Sequence, residues 1–337
     1  MNVRTTSGWL VILLGLCAAS GLLSLLSNTG TGAGLMLIHR ASGVALLLLV
    51  PWKARMIARS WRRRARRGLG ARRGLDLSIG LSGLSLGGLL ASISLGLAWA
   101  LALLPDWIAG FGPLLLHWWL GAAVLPLLLW HLLARWPRPS RYDFTGRRRA
   151  LAWLGAGAVA LTSGALLTRL ADAAHGGEHR WSGSRHAGSF TGNAMPTTIF
   201  LDDTVQRLDP VTWRLAVRGA VARPLRLALP ALAALGESAT TATLDCTSGW
   251  YSAQAWGGVP LAAVLNAAGA HPGRAVVVHS ATGYATLLTP GEVEGCLLAT
   301  HIGGAPLAAE HGAPVRLVAP ARRGWQWIKW VVAVEVV

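Results

Sequence analysis

The sequence predicts a multi-domain chain. An all-α transmembrane bundle of five spans at residues 1–171 is followed, after a linker at 172–195, by an α+β domain at 196–337. Three observations predict this. Hydrophobic residues make up 53% of the 337 positions and charged residues 13%, about half the charged share of a soluble domain. The net charge of +17 lies in one half: residues 1–171 carry 19 Lys/Arg against Asp76, Asp106 and Asp143, whereas 172–337 carry 12 against 11 acids. Basicity confined to the apolar half follows membrane topology and argues against nucleic acid as a partner. Beyond about Pro196 the pattern changes to short β-type runs separated by Gly and Pro. Cys17, Cys246 and Cys296 stand in unlike surroundings and form no disulfide framework.

A transmembrane helix needs roughly 20 mostly apolar residues. Five such runs are expected, at about Gly8–Leu26, Leu35–Ile57, Leu75–Leu104, Phe111–Ala134 and Ala150–Leu170. Arg40 and Lys53 near the ends of the second are long enough to snorkel to the interface. The loops set the orientation. Lys53–Arg73 holds ten Lys/Arg and Arg135–Arg149 six, while 27–34 and 105–110 hold none. By the positive-inside rule the basic loops are cytoplasmic and the chain leaves the fifth span outward. The expectation is an integral protein of a bacterial cell (inner) membrane, its C-terminal domain on the periplasmic or extracellular side.

Three histidines fall within spans, His39, His117 and His131. A titratable side chain at that depth is a functional candidate by default. His117 and His131, 14 residues apart, return to within about 40° of one helix face roughly 21 Å along the axis. The second and fourth spans both run inward, so His39 and His117 sit at similar depth near the outer surface. Facing neutral imidazoles are a common way to hold a b-type haem iron, and Arg40 is placed to meet a propionate. Hydrogen bonding across helices, worth about 1 kcal/mol each, is the alternative use of these histidines. The motifs His39-Arg-Ala-Ser-Gly-Val and Leu116-His-Trp-Trp-Leu-Gly resemble the b-type cytochrome membrane subunits of respiratory oxidoreductases. That family often carries an inner haem. Here the matching position is Lys53, which counts against an inner haem and leaves His131 either vestigial or hydrogen-bonded to a neighbour.

At the junction, Thr145-Gly-Arg-Arg-Arg before an apolar run is similar to a twin-arginine export signal, or is a basic helix end. Residues 172–195, including His175 and His179, have no apolar periodicity and read as solvated linker. In the exported half, strands are expected at Trp213–Val217, Thr241–Leu244, Ala275–Val278, Val315–Val318 and Trp330–Val334, with a short helix at Leu261–Ala268. Cys246 ends one of these strands, in Leu244-Asp-Cys-Thr-Ser-Gly-Trp, and enters a Gly-containing turn where a thiolate can face a ligand. Cys17 and Cys296 suit the role of small buried hydrophobes.

Four motifs in order, around Cys246, Trp256-Gly-Gly, His311-Gly-Ala-Pro-Val-Arg and Gly324-Trp-Gln-Trp-Ile-Lys, resemble the sulfite oxidase-like molybdopterin domain across 196–337. The resemblance implies that Cys246 gives the one protein thiolate to molybdenum, a soft ligand suited to that metal. It implies that His311 and Arg316 hold the pterin and its phosphate. Backbone amides at Gly324, Trp325 and Gln326 would approach the cofactor, Lys329 would supply a cation, and Tyr284 would lie near the substrate pocket. Salt bridging on a strand face is the alternative for Arg316 and Lys329. One departure bears on substrate. The segment after Cys246, Thr-Ser-Gly-Trp-Tyr-Ser-Ala-Gln-Ala-Trp, has no arginine for an oxyanion, which counts against sulfite. Arg322 and Arg323 remain as a local positive site or as loop solvation.

The combined expectation is a membrane-anchored molybdenum oxidoreductase doing two-electron, oxygen-atom-transfer chemistry at Cys246. Electrons would pass through haem b on His39 and His117. Its partners would be a small S- or N-oxide or sulfur compound, a quinone or redox protein, and lipid. The alternative is a b-type cytochrome whose pterin-type domain is a non-catalytic binding module.

Overall fold

The computed structural model describes residues 3–26, 28–66, 77–135, 146–199 and 203–337. Part of each basic loop used to orient the spans, at 67–73 and 136–145, lies outside the described residues, as does Thr145. The chain divides into two compact units, Met1–Leu25 with Gly30–Gly183, and Leu26–Thr29 with Ser184–Val337.

The first unit is helical: α1 (Val3–Ser24), α2 (Gly30–Arg66), α3 (Leu77–Ala100), α4 (Pro113–Arg135) and α5 (Arg147–Ala174). Each contains a stretch long and apolar enough to cross a membrane, including Gly30–Met56 of α2 and Ala150–Ala174 of α5. Apolar runs of this length satisfy every backbone polar group within the helix. α2 runs past the expected end at Ile57 through the basic residues to Arg66, because Arg and Lys are good helix formers. It also carries Pro51, and α4 carries Pro126, without interruption. The main packing pairs are α1 with α2, α3 with α4, and α2 with α5. Small residues open these seams. A Cβ on Gly164 would lie 2.9 Å from the Ala41 backbone nitrogen, and one on Gly88 would lie 2.5 Å from Val124.

The second unit is α+β. Its first sheet holds β1 (Arg185–His186), β4 (Ser238–Asp245), β5 (Trp250–Pro260), β8 (Leu297–Ile302), β9 (Ala305–Pro306) and β10 (Arg316–Val318). Its second sheet runs β3 (Leu225–Leu227), β2 (Leu215–Gly219), β11 (Val331–Val336), β6 (Val276–Ser280) and β7 (Ala285–Leu288). The expected helix appears as α7 (Leu261–Ala268), beside α6 (Leu229–Ala233) and α8 (Pro290–Val293). Strand β5 is the centre of the first sheet. It pairs antiparallel with β4 from Ser238↔Gly258 to Asp245↔Tyr251 and with β8 through a bulge at Gly257/Gly258. One continuous core draws on both sheets, from Leu215 and Val217 to Leu298, Val318 and Val334. The end of the stretch read as linker is structural here: Arg185 and His186 pair parallel with Trp250 and Tyr251.

Glu292 closes α8 with a capping box, its carboxylate accepting from the Thr289 amide at 2.8 Å and hydroxyl at 2.7 Å. Arg322 grips the same carboxylate with Nε and with Nη2, the latter at 2.7 Å. Burial pushes the Glu292 carboxyl up, but these hydrogen bonds outweigh it and hold the pKa at about 2. A depressed carboxyl stabilises the fold above its ordinary value of 4.5 and loses that contribution as pH falls toward 2. Glu292→Gln is therefore expected to flatten the loss of thermal stability between pH 5 and pH 3, read by unfolding midpoints at both.

Candidate functional site

In the second unit the site grows from the end of β4. The Cys246 amide donates to Trp250 O at 2.8 Å and the Gly249 amide to Cys246 O at 3.1 Å, closing the turn into β5. Cys246 is left 8% exposed. Hydroxyls surround its thiol. Sγ is 3.0 Å from Ser248 Oγ and 3.6 Å from Thr198 Oγ1, and these two oxygens are 3.1 Å apart.

The residue before it anchors the turn. Asp245 is fully buried, accepts from Ser184 Oγ at 2.6 Å and pairs with buried Arg323 at 3.2 Å. Sequence reasoning missed this clamp. Arg323 is neither an oxyanion site nor loop solvation, and Arg322 is committed to Glu292. Breaking a buried pair leaves one uncompensated charge. Arg323→Met is expected to destabilise this unit by about 3–5 kcal/mol, read as a fall in unfolding temperature. Gly324 packs against the same strand end, where a Cβ would lie 3.0 Å from Asp245 O.

Arg316, on β10, is buried and its guanidinium lies 5.0 Å from the Trp256 ring centroid and 5.9 Å from that of Trp327. It donates to His311 O at 3.1 Å, its Nε has no hydrogen-bond partner, and it makes no ion pair among the described residues. Burial lowers its pKa to about 9, against the pull of Cys246. His311 Nε2 meets Asn193 O at 3.0 Å, while its buried Nδ1 has no partner. Burial, then Arg316, bring His311 down to about 4. Lys329 donates to Thr197 Oγ1 at 2.8 Å and Thr198 O at 3.1 Å. Burial and then Arg316 lower it to about 7, opposed by Cys246, Asp203 and Glu310. A buried guanidinium with no ion pair among the described residues and an orphaned Nε–H is the complement of an anionic group, and the orphaned His311 Nδ1 lone pair beside it can accept from a hydrogen-bonding one. The residues present fit a phosphate-bearing pterin.

An open cleft adjoins this cluster, lined by Thr198, Asp203, Tyr284, Trp325, Lys329 and Trp330 among others. Tyr284, its phenol raised to about 12 by burial, is on the wall. Gln326 is not. Its amide is spent inside the turn on Arg323 O at 2.9 Å, and its side chain is buried. The sequence-predicted residues therefore split in two. Tyr284, Gly324, Trp325 and Lys329 line the cleft, while His311, Arg316 and Gln326 are buried.

In the first unit, His39 of α2 and His117 of α4 come together with ring centroids 6.0 Å apart and planes at 88°. Each Nδ1 lies 2.8 Å from a carbonyl oxygen, Cys17 O for His39 and Ser92 O for His117. A carbonyl only accepts, so Nδ1 carries the proton and Nε2 keeps its lone pair. Glycines make room for both rings: a Cβ on Gly21 would lie 2.9 Å from His39 Nδ1, and one on Gly96 would lie 2.8 Å from His117 Cε1. Arg40 donates to Thr168 Oγ1 at 2.8 Å and Trp181 O at 3.2 Å, two of its five donors. His179, expected to be solvated, is instead buried, its side chain 4% exposed and 3.3 Å from Asp172. Asp172 falls near the end of α5 and His179 in a stretch without apolar periodicity, so no local pattern announces the contact.

A thiol at a strand end among hydroxyls, with a buried arginine that makes no ion pair among the described residues and an open cleft beside it, defines a site for an anionic, sulfur-ligated cofactor. Residues 202–337 match the oxidoreductase molybdopterin binding domain, and this unit is a sulfite oxidase-like molybdopterin oxidoreductase domain. The chain is 28% identical over 247 residues to the protein-methionine-sulfoxide reductase catalytic subunit MsrP of Gluconobacter oxydans, covering 58% of this chain and 73% of that one. It is 30% identical over 131 residues to the uncharacterized oxidoreductase YuiH of Bacillus subtilis, 38% of this chain and 66% of the relative. Among solved structures, the sulfane dehydrogenase SoxCD of Paracoccus pantotrophus is 27% identical over 39% of this chain and 40% of its own, with a TM-score of 0.38.

Proposed function

We propose that this protein is a membrane-anchored molybdenum enzyme that reduces an S-oxide outside the membrane with electrons delivered through haem b. The observation that carries the substrate class is the cleft next to the Cys246 cluster. Tyr284, Trp325, Trp327 and Trp330 line it, its charged groups are the opposed pair Asp203 and Lys329, and no arginine lines it among the described residues. Such a cleft suits a neutral, partly apolar thioether oxide better than a sulfite dianion. The protein-methionine-sulfoxide reductase among the relatives acts on that class of group. The reaction balances as sulfoxide plus two electrons and two protons giving thioether and water.

Cys246 would hold the metal, and His311 and Arg316 the anionic pterin. When bound, the molybdenum cofactor supplies the two-electron oxygen-atom chemistry. Lys329 keeps two N–H groups on Thr197 and Thr198 and has a third for an oxygen in the cleft. Trp325 and Trp330 exclude water from the cleft wall and seat the apolar arms of the substrate.

Two observations support the haem. With metal–imidazole bonds of about 2 Å, two ligating rings have centroids roughly 6 Å apart, and those of His39 and His117 are 6.0 Å apart. Both also present a lone pair at Nε2. Five helices of spanning length and the basic loops support an integral membrane protein with an outward second unit. A quinol or a redox protein would feed the haem.

The test is direct. Purified protein should contain molybdenum and b-type haem in equal amounts and, with a reduced dye, turn over methionine sulfoxide or dimethyl sulfoxide. Oxidation of sulfite without sulfoxide reduction would overturn the substrate class, and protein lacking molybdenum would favour a non-catalytic module.

A further inference from the structure

Cys246 and three side chains around it form a hydrogen-bond chain whose direction is fixed at both ends. Trp250 Nε1 lies 3.1 Å from Thr198 Oγ1, Thr198 Oγ1 lies 3.1 Å from Ser248 Oγ, and Ser248 Oγ lies 3.0 Å from Cys246 Sγ. An indole N–H only donates, so Thr198 Oγ1 accepts from Trp250 and its own hydrogen points onward. A metal-bound thiolate only accepts, so Ser248 must donate to it. Following the shortest contacts, the arrangement that satisfies both ends runs from indole N–H to Thr198 hydroxyl to Ser248 hydroxyl to sulfur. Thr198 is also the more distant from sulfur, at 3.6 Å against 3.0 Å for Ser248. Its carbonyl is held by Lys329 at 3.1 Å and Trp250 is 7% exposed, so the chain is anchored at its far end.

We infer that Thr198 and Ser248 are positioning residues acting in series, a polarised hydroxyl relay that draws electron density from the Cys246 sulfur and so sets the potential of the metal it holds. The inference rests on the proposed ligation by Cys246. Hydrogen bonds in such a chain polarise one another, so the last donor is strengthened by those behind it. Donors to a ligating atom tune the metal without touching it. Loss of a donor leaves the thiolate more electron-rich, favours the oxidised metal and lowers the potential.

The test uses the full-length holoprotein, with molybdenum content, the Mo(V) resonance and the molybdenum midpoint potential as readouts. Ser248→Ala should lower the potential and shift the resonance. Thr198→Val should do the same to a smaller degree, and Thr198→Ser should restore it. The series arrangement makes one sharper demand: the Ser248→Ala/Thr198→Val double variant should match Ser248→Ala alone, because in a relay Thr198 acts on sulfur through Ser248 and not across its own longer 3.6 Å contact. Additive shifts would overturn the relay in favour of two independent donors. An unchanged potential in Ser248→Ala with full metal content would overturn it altogether. Failure of the parent reading looks different: Cys246→Ser would then keep molybdenum with an unaltered resonance.

Discussion

Replacing Cys246 by serine is expected to lower turnover by ~10³ or more, some 4 kcal/mol of transition-state stabilisation, while leaving the protein folded and the haem spectrum intact. The two halves of that expectation have separate causes. The loss comes from chemistry: a soft thiolate is replaced by a hard hydroxyl that stays protonated near neutral pH and is a poor donor to molybdenum. The survival of the fold comes from surroundings. The thiol already sits among the hydroxyls of Ser248 and Thr198, so a serine oxygen finds hydrogen-bond partners. The amide and carbonyl that close the turn belong to the backbone. Molybdenum analysis, dye-driven sulfoxide reduction and an unfolding curve on one preparation check all parts. Turnover retained with full metal content would remove Cys246 from the centre.

What could be read from the chain beforehand tracks how local the physics is. Five apolar runs became α1 to α5 because a helix satisfies its own backbone, and Leu261–Ala268 was helical to the residue. Cys246 at a strand end and Arg316 on a strand were legible from the local pattern. The missed features are pairings distant in sequence. Arg323 and Asp245 are 78 positions apart, and nothing near either announces a buried ion pair. Thr198 lay next to an apparent linker, yet its hydroxyl reaches the Cys246 cluster. His179 read as polar and solvated because burial against Asp172 is a property of the fold around α5's end. For Gln326 the motif implies a backbone amide near a cofactor, and in the structure that amide closes the 3₁₀ turn at Gly324–Gln326.

The second large effect separates the two units. His39→Ala and His117→Ala are each expected to abolish b-type haem, because one ring cannot hold the iron in the low-spin, two-ligand state that a pair provides. His131→Ala should leave it in place. Either alanine also empties space that a small residue on the neighbouring helix had been keeping clear, Gly21 for His39 and Gly96 for His117. Exogenous imidazole should therefore enter and partly restore the absorption band, which a variant damaged by misfolding would not show. Molybdenum content and dye-driven sulfoxide reduction should persist, since Cys246, His311 and Arg316 belong to the other unit. Quinol-driven turnover should vanish. That split is the point of the experiment. If both activities fall together with molybdenum retained, the haem has a structural role in the second unit, and if both persist, electrons reach the molybdenum by a route that bypasses the histidine pair.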